Sequence, residues 1–596
     1  MHNNKTKNGM TLIETLIAVS FFVTVSIALY NGFTYILRLS TLLHEREAAT
    51  FLANEQLEII RNMPYQNIGT TTGIPHGTIP ATQILARNGT IFTVTTTIRS
   101  IDDPFDGTIG GTPNDLSPAD NKLAEIAISC TACRNFGTVS YTTKVAPKNL
   151  ETASTNGALI LRAFDSNGQP VSGATVTIVN DSITPVVSIT DTTTTDGTLS
   201  IVDAPPSVEG YKITVTKNGY STEQTYPTGA SGNPNPTKPN ATVVVGQITQ
   251  LSFTIDQTST LQTTTITTTC SPVPSLNFSL TGSKTIGTNP TVLKYDVTHT
   301  TNGSGANTVT GLEWDTYVTA LLDASYDLIG TNPLMSLGLP PGATQNMQLI
   351  VAQKSARRLL VVVRDQSTGL PISDASVTLQ KSGYTSTQTT NEGFISQSDW
   401  SLGDGQADYT DPAKYFSATS GIDTTTSPGE VRLENVFGAY TGSGALTSST
   451  FNTGAISNFH QIVWSPTSQP SHTGTDSVRM QIATNTDNTT WNYLGPDGTD
   501  ATYYTLADQN INAIHDGDQY LRYRLFLSTE DSGYTPSVSD VSFTFSSSCT
   551  PPGQISFAGL ASGTYTITVT KDGYQTYTGS VSVNSNWQKE EITLTP

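Results

Sequence analysis

The chain has 596 residues, of which only 13% are charged, and its formal net charge is −19. A chain of this length cannot be built around one hydrophobic core, so we expect several domains. The acidic balance argues against nucleic acid as a partner, because nucleic-acid binding needs a basic surface. Frequent glycine and proline together with threonine-rich runs are typical of a mainly β protein.

The first predicted element is a long helix close to the N-terminus. Residues 1–9 (MHNNKTKNG) are polar and carry two lysines, and an apolar run follows in which Glu14 is the only charged side chain up to residue 37. About 20 apolar residues span a bilayer, and basic residues ahead of such a run keep that end in the cytoplasm. We therefore predict one membrane span, with the bulk of the chain outside the cytoplasm.

The helical pattern continues beyond the apolar run without a helix breaker. Apolar residues recur at helical spacing and charged residues fill the other face as far as Pro64. One helix over residues 10–62 is therefore predicted, about 80 Å long, with its first half suited to lipid and its second half to packing against protein. The apolar residues of the second half are Leu39, Leu42, Leu43, Phe51, Leu52, Leu57 and Ile60.

The sequence GMTLIE at residues 9–14 resembles the leader site of type IV pilins and of type II secretion pseudopilins. The resemblance implies that a membrane prepilin peptidase cuts after Gly9 and that the new terminus, Met10, is methylated; the family usually has Phe at this position. A carboxylate in lipid needs a cationic partner, and the resemblance implies that Glu14 finds one in the free amine of Met10 on a neighbouring subunit, or of its own chain before assembly. The alternative is a plain membrane anchor whose Glu14 reaches the interface.

A small antiparallel sheet, the head, is predicted over residues 63–150. Pilin-like heads pack such a sheet on the second half of the helix. The loop at 102–120 is rich in aspartate, and its carboxylates could ligate calcium as in some pseudopilins; because their spacing matches no fixed calcium-loop pattern, we expect a solvated loop and no metal. The predicted strands are TIFTVTTTIRSI (90–101), KLAEIAISC (122–130) and TVSYTTKVAP (138–147).

The four cysteines are too sparse for a zinc site. Cys130 and Cys133 form a CxxC pair without a second close pair, so a local disulfide or two free thiols is expected. Cys270 and Cys549 lie far apart in sequence, eight residues ahead of a strand phenylalanine in each case, and their spacing leaves open whether they pair. Export of the bulk of the chain would permit oxidation.

Internal repeats occupy the region after the head. The segment LILRAFDSNGQPVSGATVTIVN (159–180) aligns with LLVVVRDQSTGLPISDASVTLQ (359–380). Farther on, GYKITVTKNGYSTEQTY (210–226) aligns with GTYTITVTKDGYQTYTG (563–579), and both carry a Lys-(Asn/Asp)-Gly hairpin signal. The pattern resembles carboxypeptidase regulatory-like (transthyretin-like) domains, which are non-catalytic β-sandwiches.

This resemblance divides the chain into modules. The first module covers 156–257, and a divergent second module covers 270–352. The third module is split into 356–400 and 549–596 by an inserted domain, the insert, at 401–548. Domain insertion at a loop tip is tolerated where the termini of the guest lie close together.

The insert has strands of its own and resembles the jelly-roll modules of bacterial surface proteins. Between Asp404 and Asp540 it holds 16 acidic and 5 basic residues, which we interpret as the solubility of an exposed domain. Such sandwiches often bind glycans by stacking sugars on aromatic rings, although strand aromatics more often belong to a core. The candidate ligand-binding residues are Trp491, Tyr493, Tyr503 and Tyr504.

These observations predict a mainly β multidomain protein with a long N-terminal helix, a pilin-type head and several β-sandwich modules. The function they favour is that of a minor type IV pilin or pseudopilin-like filament subunit that displays its modules for adhesion or surface interaction. Expected partners are other pilin subunits, the prepilin peptidase, the inner membrane before assembly, and a glycan or another surface ligand. After assembly the chain would lie in a filament at the cell surface.

Three alternatives belong to other classes. The chain could be a pseudopilin of a type II secretion or DNA-uptake machine, or a membrane-tethered surface protein that never assembles and binds glycans. A hydrolase in the insert would need paired carboxylates or a Ser/His/Asp arrangement, and the sequence displays neither in recognisable form. We therefore expect no enzyme activity and no cofactor.

Overall fold

The structure is a computed structural model that describes residues 11–105, 107–108, 111–113, 115, 118–147 and 155–596. Over these residues the chain is mainly β with one long N-terminal helix, which confirms the predicted fold class. It divides into two compact units. Unit 1 holds residues up to 257 together with 285–292, and unit 2 holds 258–284 and 293–596.

Helix α1 spans Leu12–Asn62 and is about 77 Å long at 1.5 Å per residue. It ends where Met63 becomes extended ahead of Pro64, whose ring cannot continue a helix. By length and composition α1 qualifies as a membrane-crossing helix, and none of its most apolar 18-residue stretch is buried. Only its second half packs against the head, through Ala48, Ala49, Leu52, Ala53, Leu57 and Ile60.

The head is one antiparallel sheet of four strands. They are β1 (Thr82–Arg87), β2 (Thr90–Ile101), β3 (Asn121–Ser129) and β4 (Val139–Val145), joined in that order. Side chains alternate along β2 and β3, and the inward set packs on α1 to form the core of the head. That set is Phe92, Val94, Ile98, Ala124, Ile126 and Ile128. A short 3-10 helix, Tyr65–Asn67, connects α1 to this sheet.

The first module is a sandwich of two sheets. Its strands are β5 (Gly157–Phe164), β6 (Thr175–Asn180), β7 (Val187–Thr192), β8 (Thr198–Ala204), β9 (Ser207–Thr216), β10 (Glu223–Gln224), β11 (Ala241–Val243) and β12 (Ile248–Thr254). One sheet has the order β10-β9-β6-β7, with β11 also on β9, and the other has the order β12-β5-β8. Strands β12 and β5 run parallel, and their apolar faces close the core of the module.

Within unit 1 the head is fastened to the first module by three kinds of contact. Ile74 of the head is 6% exposed and joins the core of the module. The Arg99 guanidinium lies 2.5 Å from the Asp191 carboxylate, and burial raises the pKa of Asp191 against the opposing charge of Arg99. The Ser188 backbone N–H donates to the Thr72 carbonyl at 2.6 Å. Apolar, ionic and backbone contacts therefore hold the two domains together.

The second module is a sandwich in unit 2. Its segment of the chain contains β13 (Ser259–Ile266), β14 (Asn277–Gly282), β15 (Thr285–Gly287), β16 (Val292–Leu293), β17 (Asp296–Thr300), β18 (Ala306–Leu312), β19 (Asp315–Leu321), β20 (Tyr326–Asn332), β21 (Leu337–Leu339) and β22 (Thr344–Gln353). The two sheets have the orders β18-β13-β22-β20 and β17-β14-β19-β21. Strand β13 belongs to the second module, because it pairs with β18 and β22. The module therefore begins ahead of its predicted boundary at residue 270.

The insert is built around one large sheet. It follows the first three strands of the third module, which are β23 (Arg358–Asp365), β24 (Ser376–Lys381) and β25 (Tyr384–Thr389). The strands of the insert are β26 (Gly393–Gln397), β27 (Ser417–Ala418), β28 (Ile422–Asp423), β29 (Val431–Leu433), β30 (Asn435–Val436), β31 (Ala439–Tyr440), β32 (Ser443–Thr447), β33 (Phe451–Ser465), β34 (Val478–Asn485), β35 (Asp508–Asn510), β36 (Asp518–Ser528), β37 (Ser537–Val538) and β38 (Asp540–Ser547). The large sheet has the order β26-β38-β33-β36-β32-β27, with β34 on β36 and β35 on β33. Short 3-10 helices occur at Ser471–Thr473 and Ala513–His515.

The insert begins earlier than its predicted start at residue 401. Strand β26 pairs with β38 of the insert and not with a strand of the third module. Trp400 is fully buried in the core of the insert, where its indole N–H donates to the Tyr523 hydroxyl at 3.0 Å. Residues 393–400 therefore belong structurally to the inserted domain.

The third module resumes after the insert and closes as one sandwich. Its returning strands are β39 (Gln554–Ala558), β40 (Gly563–Thr570), β41 (Tyr577–Val583) and β42 (Trp587–Leu594). Strand β23 lies between β39 and β42, and β24 pairs with β40, so both sheets combine strands from the two sides of the insert. The repeat GTYTITVTKDGYQTYTG forms the antiparallel hairpin β40–β41.

Candidate functional site

The Glu14 carboxylate closes a capping box at the start of α1. Its Oε2 accepts hydrogen bonds from the Thr11 backbone N–H at 2.9 Å and from the Thr11 hydroxyl at 3.0 Å. In return, the Glu14 backbone N–H donates to the Thr11 hydroxyl oxygen at 3.3 Å. The motif Thr-x-x-Glu signals this arrangement in the sequence, and the sequence analysis did not use it. Gly9 and Met10 lie outside the described residues.

The capping box gives one carboxylate oxygen of Glu14 two hydrogen bonds but leaves the charge in place. Thr11 is neutral, and between Gly9 and Leu37 the sequence holds no lysine or arginine. Within residues 11–37, the described part of the apolar run, Glu14 therefore has polar partners and no side-chain cation. The requirement for a neutralising positive charge in lipid still stands.

Part of the apolar surface of α1 has no partner among the described residues of unit 1. Leu52, Leu57 and Ile60 pack on the head as their spacing predicts. Leu43 and Phe51 remain 58% and 63% exposed, although the same pattern predicted that they would pack against protein. Leu39 and Ile59 are also exposed. The second half of the helix therefore has an apolar face beyond the one that the head covers.

The aromatic candidates of the insert separate into a core residue and a surface layer. Tyr504 is fully buried and accepts a hydrogen bond from the Asn512 backbone N–H at 3.1 Å, so it presents no face to a ligand. Trp491, Tyr493 and Tyr503 are only partly buried. Tyr504 forms an isolated bridge with Met480 through two backbone hydrogen bonds, whereas the adjacent Tyr503 makes no such bridge.

The three partly buried rings lie over arginines of the large sheet. The guanidinium of Arg522 is 4.5 Å from the centre of the Trp491 ring system, and that of Arg524 is 4.0 Å from the Tyr493 ring centre. Arg479 approaches Tyr503 at 5.0 Å. These cation–π contacts hold the segment that follows β34 against the sheet.

Arg522 is the centre of this layer. Its guanidinium also lies 4.3 Å from the Phe416 ring centre, donates to the Thr450 hydroxyl at 2.8 Å and donates to the Ala407 carbonyl at 3.2 Å. Within the described part of the chain, no carboxylate forms an ion pair with Arg479, Arg522 or Arg524. The rings proposed as ligand platforms therefore serve packing, and glycan binding by them stays a prediction.

A buried histidine of the insert has a strongly lowered pKa. His515 is 2% exposed, and the Thr484 hydroxyl lies 3.0 Å from its Nδ1 and donates to Asp518 at 2.7 Å. Because that hydroxyl has one proton, Nδ1–H must donate to it, which leaves Nε2 bare and without a partner in the core. Burial lowers the pKa of His515 to about 4, against the opposing charge of Asp518.

We expect the insert to lose stability as the pH falls from about 6.5 to about 4. In the unfolded chain His515 protonates near the ordinary histidine pKa of 6.5, whereas the folded residue resists protonation down to about 4, so acid favours the unfolded state across this window. The expected loss is about 3 kcal/mol at 1.36 kcal/mol per pKa unit. Thermal unfolding at pH 7.5 and pH 4.5 should show a smaller shift in His515→Leu than in the parent. His472→Gln, which alters an exposed histidine, should retain the full shift; equal shifts in all three proteins would contradict the prediction.

Three aspartates of the head lie close together. One carboxylate oxygen each from Asp102, Asp115 and Asp120 lies within 4.8 Å of the other two, and Asp120 is buried. The Asp103 backbone N–H also donates to Asp120. Calcium takes six to eight oxygen ligands, so three carboxylates form at most part of a site. The structure thus brings together three aspartates of a loop that was predicted to be solvated. Their three carboxylate oxygens alone do not define a metal centre.

All four cysteines are joined in disulfides. Cys130 pairs with Cys133 at the edge of the core of the head, and Cys270 pairs with Cys549. The second pair bridges a sequence separation of 279 residues. The sequence alone leaves open whether these two cysteines pair. Two disulfides are consistent with an oxidising compartment for the β domains.

Comparison with known proteins identifies no family. No protein-family model matches the chain, and no curated protein matches it either. A likeness was found to solved structures. The Bacillus anthracis TIE protein is 10% identical with a TM-score of 0.16, over 85% of this chain and 70% of that one. A streptococcal ancillary pilin is 12% identical with a TM-score of 0.18, over 38% of this chain and 75% of that one.

A third solved structure is GBS52, the minor pilin of Streptococcus agalactiae, at 12% identity and a TM-score of 0.18, over 33% of this chain and 96% of that one. TM-scores of this size carry no argument about function. The chain's own features define a class: a multidomain β protein that carries an apolar, potentially membrane-spanning helix at its N-terminal end.

Proposed function

We propose that this chain is a filament subunit of the type IV pilin class, cleaved after Gly9 and methylated at Met10, that displays β-sandwich modules at the cell surface for adhesion. The observation that carries the proposal is the pairing of a leader-like GMTLIE sequence with a single carboxylate at the start of a 51-residue helix. Before assembly the helix would anchor the chain in the inner membrane. The proposal includes no catalytic step and no cofactor.

The geometry of α1 supports a packed filament core. One face of its second half is covered by the head, while Leu43 and Phe51 are exposed on the rest of the helix. Exposed apolar area of this kind is typical of surfaces that other protein chains cover. Helices of neighbouring subunits are the partners that this proposal assigns to it.

Mass spectrometry of the mature N-terminus tests the processing step. Loss of residues 1–9 together with a methyl group on Met10 is the expected result. An intact Met1 on membrane-extracted protein would overturn the filament proposal and leave a membrane-tethered surface protein. Capture of the processed chain with secreted cargo, and not in sheared filaments, would favour the pseudopilin of a secretion machine.

Two neighbouring residues on α1 separate assembly from folding. Phe51 is 63% exposed, whereas Leu52 is 2% exposed in the core of the head. Phe51→Asp should change the free energy of unfolding of the head by no more than about 0.5 kcal/mol. It should nevertheless reduce incorporation into filaments at least tenfold, because it places a charge between packed helices. The measurement is the ratio of subunit in sheared filaments to subunit in membranes.

Leu52→Asp is the matched control, since it buries a charge in the head and should destabilise it by more than about 3 kcal/mol. That variant should be lost from membranes and filaments alike. Normal incorporation of Phe51→Asp would show that this part of the helix is not a subunit interface.

A further inference from the structure

The Cys270–Cys549 disulfide joins parts of unit 2 that are distant along the chain. Cys270 lies in the turn after β13, the first strand of the second module. Cys549 lies between β38, the last strand of the insert, and β39, the first returning strand of the third module. The bond therefore closes a covalent loop that contains most of the second module, the first half of the third module and the insert.

The surroundings of the disulfide show that three domains meet there. Ile266, Ile329 and Ile350 of the second module pack around the two cysteines in a small apolar cluster. The Gln554 side chain of the third module donates to the Thr331 carbonyl at 2.7 Å and accepts from the Thr331 N–H at 3.1 Å, as a strand partner would.

The insert approaches the same turn through its backbone. Gly454 in β33 has φ +81°, and a Cβ at this position would lie 1.9 Å from the Thr269 carbonyl oxygen. Only glycine tolerates both the backbone conformation and the close approach. The insert is therefore seated directly against the residue that precedes Cys270.

We propose that the Cys270–Cys549 disulfide is a mechanical shunt, which carries tension from β13 at the start of unit 2 straight into the insert and keeps the rest of the second module, and the third module, out of the force path. Covalent connectivity is the reason. Without the bond, tension that enters at Gln257 and leaves in the insert passes through every residue between them. With the bond, it passes from Cys270 to Cys549 and then into β38.

The two paths differ severalfold in length. Between Gln257 and Asp500, an exposed residue of the insert, the direct chain contains about 240 residues and the route through the disulfide about 60, which correspond to extended lengths of about 870 Å and about 220 Å. The shorter covalent route limits the extension. Strand β13 lies on this route, between Gln257 and Cys270. The other strands of the second module and the strands of the third module then lie on a slack branch or on the free C-terminal end, where the chain carries no tension to them.

The biological relevance of the shunt rests on the proposed function, because a displayed subunit held at one end and bound at the other is under tension. The shunt itself is a property of the chain and is measured without filaments. If the chain retains Met1 but its extension is limited by the disulfide, the filament proposal is refuted and the shunt proposal stands. If the chain is processed but the disulfide does not limit its extension, the shunt proposal is refuted and the filament proposal stands.

Single-molecule force spectroscopy on the detergent-solubilised full chain tests the proposal. Handles are attached through azide-bearing residues introduced at Gln257 and Asp500, and the chain is stretched until no further extension is released. The oxidised protein should reach an end-to-end length of about 220 Å, and the same protein in dithiothreitol should reach about 870 Å. An oxidised chain that extends to the longer limit would overturn the inference.

Two variants separate this disulfide from general effects of reduction. Cys270→Ser with Cys549→Ser should reach the longer limit without reductant. Cys130→Ser with Cys133→Ser removes the other disulfide, which lies outside the stretched segment, and should behave as the oxidised parent does. If the first variant fails to fold, reductant added to the folded parent supplies the same comparison; an unchanged limit in that experiment would overturn the proposal.

Discussion

Glu14→Gln is expected to abolish incorporation into filaments while leaving membrane insertion and the helix start intact. Glutamine serves as well as glutamate in a capping box, so the bond from the Thr11 N–H to this side chain would persist. Only the charge is lost. The amine of Met10 on a neighbouring subunit would then be buried without its counter-ion, at a cost of about 3–5 kcal/mol, which is more than a hundredfold in the equilibrium.

The measurement is the fraction of subunit in sheared filaments, with membrane-extracted subunit as the reference. Insertion should improve slightly, because a charge within a bilayer is costly. Glu14→Leu removes the charge and the capping bond together and should also fail to assemble. Normal incorporation of Glu14→Gln would show that the carboxylate serves only the helix cap.

Thr11→Ala is the complementary control. It removes the hydroxyl that accepts from the Glu14 N–H and should cost about 1 kcal/mol of helix stability, while the carboxylate stays charged. Incorporation should therefore be close to that of the parent chain. Comparison of this variant with Glu14→Gln separates the structural role of Glu14 in the helix cap from its electrostatic role.

Local pattern predicted the elements whose partners are close in sequence. The helix and three strands of the head follow from periodicity, and the hairpin β40–β41 follows from its Lys-Asp-Gly turn. Strand β1 was missed because none of its side chains is fully buried. Its signal was the Asn88-Gly89 pair, where both residues have positive φ as a tight hairpin turn requires.

The missed boundaries have a different cause. The local sequence of β13 and β26 is compatible with a strand or a linker, but it contains no information on which sheet each strand joins. A strand such as β26 pairs with β38 across more than a hundred residues, and only the closed core of the insert selects that partner. The pairing of Cys270 with Cys549 is unpredictable for the same reason, since it depends on how three domains meet.

The aromatic candidates fall between these cases. The sequence identifies Trp491, Tyr493, Tyr503 and Tyr504 as aromatic candidates, but nothing local separates the core residue Tyr504 from the adjacent, partly exposed Tyr503. The arginines beneath Trp491 and Tyr493 come from β36, a strand that lies later in the chain, and their contact appears only in the folded domain.

A second large effect is expected at the ion pair between the second and third modules. Asp327 accepts from the Arg358 Nε at 3.2 Å and from the Ser355 N–H at 3.0 Å, and the two charged side chains are only 3% and 8% exposed. Arg358 also donates to the Gln353 carbonyl and the Ser556 hydroxyl. Asp327→Ala should destabilise this contact by about 3–5 kcal/mol, because it leaves a buried guanidinium without its counter-charge.

Hydrogen exchange is the appropriate measurement, since a chain of several domains has no single unfolding free energy. Protection of the backbone amides in β20 and β23 should fall by at least a hundredfold in Asp327→Ala, while protection in the head stays unchanged. Lys589→Ala breaks an exposed ion pair with Glu591 in the same module and should change protection less than tenfold. Equal effects of the two variants would contradict the prediction.

A double variant distinguishes the ion pair from simple loss of packing. Replacement of both partners by apolar residues, Asp327→Leu with Arg358→Met, removes the uncompensated charge, and such exchanges are often neutral or stabilising. Most of the lost protection should therefore return. If it does not, the hydrogen bonds of Arg358, and not the charge pair, stabilise the contact; of these, the bond to the Gln353 carbonyl joins the two modules, and the bond to Ser556 lies within the third module.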